Sequence, residues 1–222
     1  MWLFRWSDYD TIILVTREPL YNFGQNQEVE KVDERKKIIM EAAKKSFALF
    51  GYKGTTVDQI AKIAGIGKGS VYISFNNKEE ILREIIVSLI EEMKQLASES
   101  IRPEREFYAN LHSTIYNVLI FRKEHQLLRK LLDEIDSIGT KVVSDAFQLL
   151  ESEVISFIKE RLDIAMTKGY IKRCNTELTA FVVFKLYIAI VIEWEQKTNE
   201  EMSNEEVEQL FRLFLLEGLI KE

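Results

Sequence analysis

Cysteine occurs once, at Cys174, so no disulfide can form within the chain, and a reducing, cytoplasmic location is expected. Histidine occurs twice, at His112 and His125, and these make no recognised zinc spacing with Cys174, so no metal is expected. Nine glycines and two prolines among 222 residues leave few helix breakers, which points to an all-α chain with short connections. There is no phosphate-binding P-loop, no Rossmann glycine pattern, and no histidine near Cys174 in sequence. The acidic pairs Glu91-Glu92 and Glu205-Glu206 lie among surface-type residues. An enzyme is therefore not expected, nor a cofactor.

What is present suits a folded globular protein: 46% hydrophobic and 30% charged residues, at a length that allows one or two domains. The net charge of -6 conceals a gradient. Glu34 to Lys78 carries nine basic against three acidic residues, a net +6, whereas residues 1–33 are at -3 and residues 79–222 at -9. A basic module followed by an acidic body suggests that one end of the protein meets a polyanion.

Residues 1–33 read as an N-terminal extension, either poorly packed and poorly ordered or an upstream start outside the functional module. The apolar runs at Trp2–Trp6 and Ile12–Val15 are separated by Asp8 and Asp10, so neither makes a membrane span or a signal-peptide core. From Glu34 the period is helical: Ile38, Ile39, Ala42, Ala43, Phe47 and Phe50 form a stripe that Gly51 ends. A second helix opens at Thr56, with Gln59 as capping-box partner, and closes at Gly65. A third runs from Lys68 to about Phe75, and a fourth starts at Asn77 with Glu80 three residues on. Longer helices are expected at 103–122, 125–136, 139–168, 177–197 and 204–221.

Two short helices joined by a tight glycine turn make a helix-turn-helix, whose second helix enters the DNA major groove. Ile60, Ala61 and Ala64 give the first helix an inward face, and Val71 and Phe75 anchor the second. At 100° per residue, Gly69 and Ile73 then point away from the core, with Ser70 and Tyr72 on the flanks. That outer face has no acidic residue. The competing reading is a helical interaction protein that keeps the fold without DNA binding. An acidic residue on this face, or loss of Tyr72 and Lys78, would have favoured it, and neither is seen.

The ordered set Phe50-Gly51-Tyr52, Gly54-Thr55-Thr56-Val57, Ile60-Ala61, Ala64-Gly65-Ile66, Lys68-Gly69-Ser70-Val71-Tyr72, Phe75 and Asn77-Lys78-Glu79-Glu80-Ile81-Leu82 resembles the signature of TetR-type (TetR/AcrR) transcriptional regulators. The resemblance implies a three-helix DNA-binding domain at residues 34–80 and a larger helical effector-binding and dimerisation domain at 81–222. It implies a homodimer that represses from a palindromic double-stranded operator and is released by a small effector. By position, Thr56, Tyr72 and Lys78 match phosphate-contacting residues. Lys68, Gly69, Ser70, Ile73 and Ser74 match positions that often face bases. Gly67 departs from a common serine cap, and Ser74 from a common aromatic or histidine.

The stretch Leu178–Trp194 is apolar on nearly every side, interrupted by Lys185, and too short for a membrane span. A helix of this kind must be covered on all faces. Phe181, Ile188 and Ile192, with Phe211 and Leu215 of the last helix, are therefore expected at a four-helix dimer interface. His112, Tyr116, His125, Phe184, Tyr187 and Glu193 are the candidates for holding an effector, which should be largely apolar, fatty-acyl or drug-like.

Overall fold

Helical periodicity becomes helices throughout. The computed structural model describes residues 23–219, apart from 103, 106, 125, 126, 128, 129, 132, 133, 135–139, 199 and 201. In chain order these form α1 (Phe23–Gly54), α2 (Val57–Ala64), α3 (Lys68–Ser74), α4 (Lys78–Glu99), α5 (Phe107–Glu124) and α6 (Lys141–Thr167). There follow α7 (Thr176–Ile188), which continues through a π-helical turn at Ala189–Glu193 into Trp194–Thr198, and α8 (Asn204–Phe211), which does the same at Arg212–Leu216. His125 and residues 1–22 lie outside the described residues.

Two expectations about helix limits need correction. Helix α1 begins at Phe23 rather than Glu34, so it reaches back into the stretch assigned to the extension. Helix α5 begins at Phe107, not at 103. The reason is Asn110, whose Oδ1 accepts from Arg102 N–H at 2.9 Å while its Nδ2 donates to Arg102 O at 2.8 Å, holding the approach to the helix in a turn. The π-helical turns in α7 and α8 were not anticipated. Each adds a residue to a helical turn and rotates the faces beyond it.

The apolar stripes of the basic module's helices merge with part of the body in a shared core. Ile39, Ala43 and Phe47 of α1, Ile60 of α2, Val71 and Phe75 around α3, and Ile81, Leu82 and Ile85 of α4 pack together. The same cluster continues into Leu127, Leu131 and Val143 of the body. Each fully buried side chain of this size contributes about 1.5–3 kcal/mol. A second cluster joins Leu119 of α5 with Ile190, Val191, Val207 and Phe211 of α7 and α8. Helix α4 thus belongs both to the basic module and to the body.

Candidate nucleic-acid interface

Helix α2 is held at both ends by local chemistry. Thr56 Oγ1 accepts from Gln59 N–H at 3.2 Å, and Gln59 Oε1 accepts from Thr56 N–H at 2.7 Å, which completes the capping box. At the other end Gly65 adopts φ 69, where a β-carbon would be strained. Gly65 N–H bonds Lys62 O at 3.3 Å and Ile66 N–H bonds Ala61 O at 3.0 Å, the pair of reversed bonds of a Schellman motif. Ile66 then tucks against the core. The turn into α3 is fixed by these bonds, so α3 has little freedom relative to α2.

Helix α3 is anchored from one side by Val71 and Phe75, which are 1% and 2% exposed. Its opposite face carries Ile73 at 76% and Tyr72 at 48% exposure, with Gly69 exposed and Ser70 and Ser74 half-buried. Among the described residues Tyr72 makes no hydrogen bond, so its hydroxyl is available to an outside partner. A β-carbon at Gly69 would meet nothing within 4 Å. No neighbour among the described residues requires glycine there.

The cations of this face are already partly engaged. Lys68 Nζ lies 2.8 Å from Asp58 Oδ2 across the turn, and this bond holds the Lys68 ammonium above the usual lysine range. Lys78 opens α4 as expected, but its side chain turns inward. Its Nζ donates to Tyr52 O at 2.6 Å and to Thr55 O at 2.7 Å, over the Tyr52 ring. Burial pushes the Lys78 ammonium below the usual lysine range, against the attraction of Glu134. An ammonium has three donors, so one remains for a phosphate oxygen.

Sequence reasoning missed Glu134, a buried carboxylate of the body. Its Oε2 accepts from Tyr52 N–H at 2.6 Å, and its Oε1 accepts from Lys53 N–H at 3.1 Å and from the Thr140 hydroxyl at 3.2 Å. Two of its three partners are backbone amides some 80 positions away in sequence, and no side-chain pattern could have announced those.

Of the body candidates, His112 and Tyr187 meet α8 and Phe184 meets α6. Phe184 is buried against Phe147, and Tyr187 packs on Phe211 with ring centroids 6.5 Å apart. His112 Nε2 instead meets Glu208 Oε1 at 2.7 Å, joining α5 to α8, and Tyr116 and Glu193 are exposed. Of the expected interface residues, Phe181 is exposed and Ile188 and Ile192 are half-buried. Phe211 is covered by its own chain at 3% exposure, because Val207 and Phe211 share the inward stripe of α8. The side chain of Leu215 lies outside the described residues. Among the large apolar residues left open are Leu178, Phe181, Val182 and Trp194 along α7 and Leu213 and Phe214 beyond α8.

A capped α2, a Schellman turn and an α3 with an acid-free outer face define a helix-turn-helix. Residues 39–85 match the model of the bacterial regulatory proteins of the tetR family. The uncharacterized HTH-type transcriptional regulator YhgD of Bacillus subtilis is 45% identical over 186 residues, 84% of this chain and 97% of that protein. The chain belongs to the TetR family. It is all-helical, with the DNA-binding motif near the N-terminus and a helical body after it, and it is a regulator rather than an enzyme. Two solved structures share the fold. The SmeT–triclosan complex has a TM-score of 0.69 and 21% identity, covering 85% of this chain and 93% of that one. The fatty acid degradation regulator FadR from Bacillus halodurans has a TM-score of 0.66 and 20% identity, covering 79% and 93%. Among the described residues no helix is long and apolar enough to cross a membrane.

Proposed function

We propose that this regulator is a homodimeric repressor that binds a palindromic operator and is released by a small, largely apolar effector. The observation that carries this reading is the outer face of α3: Gly69, Tyr72 and Ile73 stand exposed on a rigidly held helix with no carboxylate among them. In this reading Ile73 packs on a thymine methyl, Lys68, Gly69, Ser70 and Ser74 lie along the groove, and Thr56, Tyr72 and the remaining Lys78 proton meet phosphates. Residues 34–80 then form the DNA-reading unit and 81–222 the effector and dimer unit. The open apolar strip of α7 and α8 is the surface through which two copies associate.

The effector class rests on the apolar character of the body. It is in keeping with SmeT, whose structure holds triclosan, and with FadR, a regulator of fatty acid degradation. Such a molecule moves α4, which belongs to both units, and changes the separation of the two reading helices. Half-sites one turn apart are about 34–36 Å from centre to centre, so a displacement of a few ångströms forfeits one subunit's contacts. The test is selection of duplexes from a random-sequence library on purified protein. A recovered palindrome supports the reading, and recovery of no preferred sequence overturns it.

A further inference from the structure

The corner where α1 ends is gripped from two sides. Gly51, at φ 72, breaks α1, and the residues that follow expose amides in one direction and carbonyls in the other. The amides of Tyr52 and Lys53 end on the carboxylate of Glu134, at 2.6 and 3.1 Å. The carbonyls of Tyr52 and Thr55 end on the ammonium of Lys78, at 2.6 and 2.7 Å. A carboxylate of the body and the first residue of α4 are thus joined through one peptide corner, with Tyr52 contributing to both. Glu134 is 5% exposed, and a β-carbon on Gly51 would come within 2.8 Å of its Oε2. Glycine at that position leaves room for the carboxylate to reach the amides.

Buried carboxylates are retained at a cost unless their oxygens are satisfied, and charge-assisted bonds to amides are about twice as strong as neutral ones. Here both oxygens are satisfied, and two of the three donors belong to the DNA-reading unit. Thr55, beside Thr56 at the cap of α2, is buried and bonded through its hydroxyl to Gly51 O at 2.8 Å. The corner therefore sets where α2 starts, and the Schellman turn sets α3 from α2.

We infer that Glu134 is a positioning residue for DNA binding: through the Tyr52–Lys53 amides it fixes the orientation of the reading helices relative to the body, and so the separation of the two readers in the dimer. The inference rests on the dimeric reading above. It assigns Glu134 no contact with DNA. Weakening the grip frees each reader to wander, which removes the advantage of engaging two half-sites while leaving each half-site contact intact.

The test compares wild type, Glu134→Gln and Thr140→Val on the library-selected duplex and on the same duplex with one half-site scrambled. Glutamine keeps one acceptor and nearly the same shape, and valine removes only the third donor. In parallel, spin labels at Lys62→Cys and Gln148→Cys, both exposed positions, in a Cys174→Ser background diluted with unlabelled protein read the distance between α2 and α6 within one chain. The expected result for Glu134→Gln is about a tenfold loss on the intact duplex, less than about twofold on the scrambled one, and a broader label distance distribution. Thr140→Val should give smaller changes in the same direction. Equal losses on both duplexes with an unchanged distance distribution would make Glu134 a support of the local fold and overturn the inference, as would no loss at all. If wild type does not prefer the intact duplex, the dimeric reading fails, and an unbroadened distribution in Glu134→Gln then overturns the positioning role on its own.

Discussion

The Lys78 ammonium lies 4.2 Å from the centroid of the Tyr52 ring and 2.6 Å from the Tyr52 carbonyl oxygen. A side chain placed by its position for phosphate contact is thus also a cap on the end of α1. Lys78→Ala should therefore show two effects. Affinity for all duplexes should fall about equally, with the salt dependence of log K shallower by about one phosphate equivalent. The free protein should also melt lower, since two carbonyls lose a charged donor worth about 1.5–3 kcal/mol each at most. Titration at several salt concentrations, with a thermal melt, checks both; an unchanged salt slope would remove Lys78 from the phosphate contacts.

Gly69→Ala should separate stability from binding. Alanine is favoured over glycine in a helix by about 0.8–1 kcal/mol, and the added methyl meets nothing in the chain. The variant should be as stable as wild type or more so, and should bind DNA less tightly because the methyl holds the helix off the groove floor. Denaturant unfolding paired with duplex affinity gives the answer, and undiminished affinity would mean that Gly69 does not approach DNA.

Ile73→Ala should leave stability nearly unchanged, because the side chain is 76% exposed. Its effect belongs to specificity: the preference at one base pair should relax by about 1–3 kcal/mol, while affinity for scrambled duplexes stays as it was. Repeating the library selection with the variant reads this as a lost thymine at one position of each half-site.

Two phenylalanines three residues apart in the last helix should behave in opposite ways. Phe214 is 66% exposed in the single chain and Phe211 is 3% exposed. Wild type should sediment near twice 26.0 kDa. Phe214→Asp should give a soluble monomer, whereas Phe211→Asp should give unfolded or aggregated material, since it places a charge in the chain's own core. A wild-type monomer in sedimentation would refute the dimer.

Asp163 supplies a pH test. Its Oδ1 accepts from the Thr176 hydroxyl at 2.6 Å and its Oδ2 pairs with Lys159 at 2.9 Å, and these hold its carboxyl below the usual range. A lowered folded-state value means that the stabilisation is complete above the ordinary carboxylate range and is lost as pH falls through the folded value. Melting temperature should therefore drop less on acidification in Asp163→Asn than in wild type.

The parts of this molecule that were legible in its sequence are those whose partners lie a few residues away. The Thr56–Gln59 box, the Gly65 turn and the Val71–Phe75 anchor all follow from spacing of three to five positions. Glu134 was not legible, because the two partners that tie it to α1 are main-chain amides that carry no residue identity. The inward turn of Lys78 escaped for the same reason: its acceptors are main-chain carbonyls at the end of α1 and just beyond it. Phe211 faces inward because Val207 and Phe211, four residues apart, form a stripe of their own on α8.

The merging of the basic module's core with that of the body bears on how this protein would look to genetics. Selections for loss of DNA binding should return substitutions at Leu127, Leu131 or Val143 as readily as at the turn itself, because these side chains pack in the same cluster as Ile39 and Phe47. A gene fragment ending after residue 80 would encode a reader stripped of part of its own interior. Swapping bodies between relatives, a common route to new sensors, would then succeed only where the cut keeps α4 together with the residues that fill its far side.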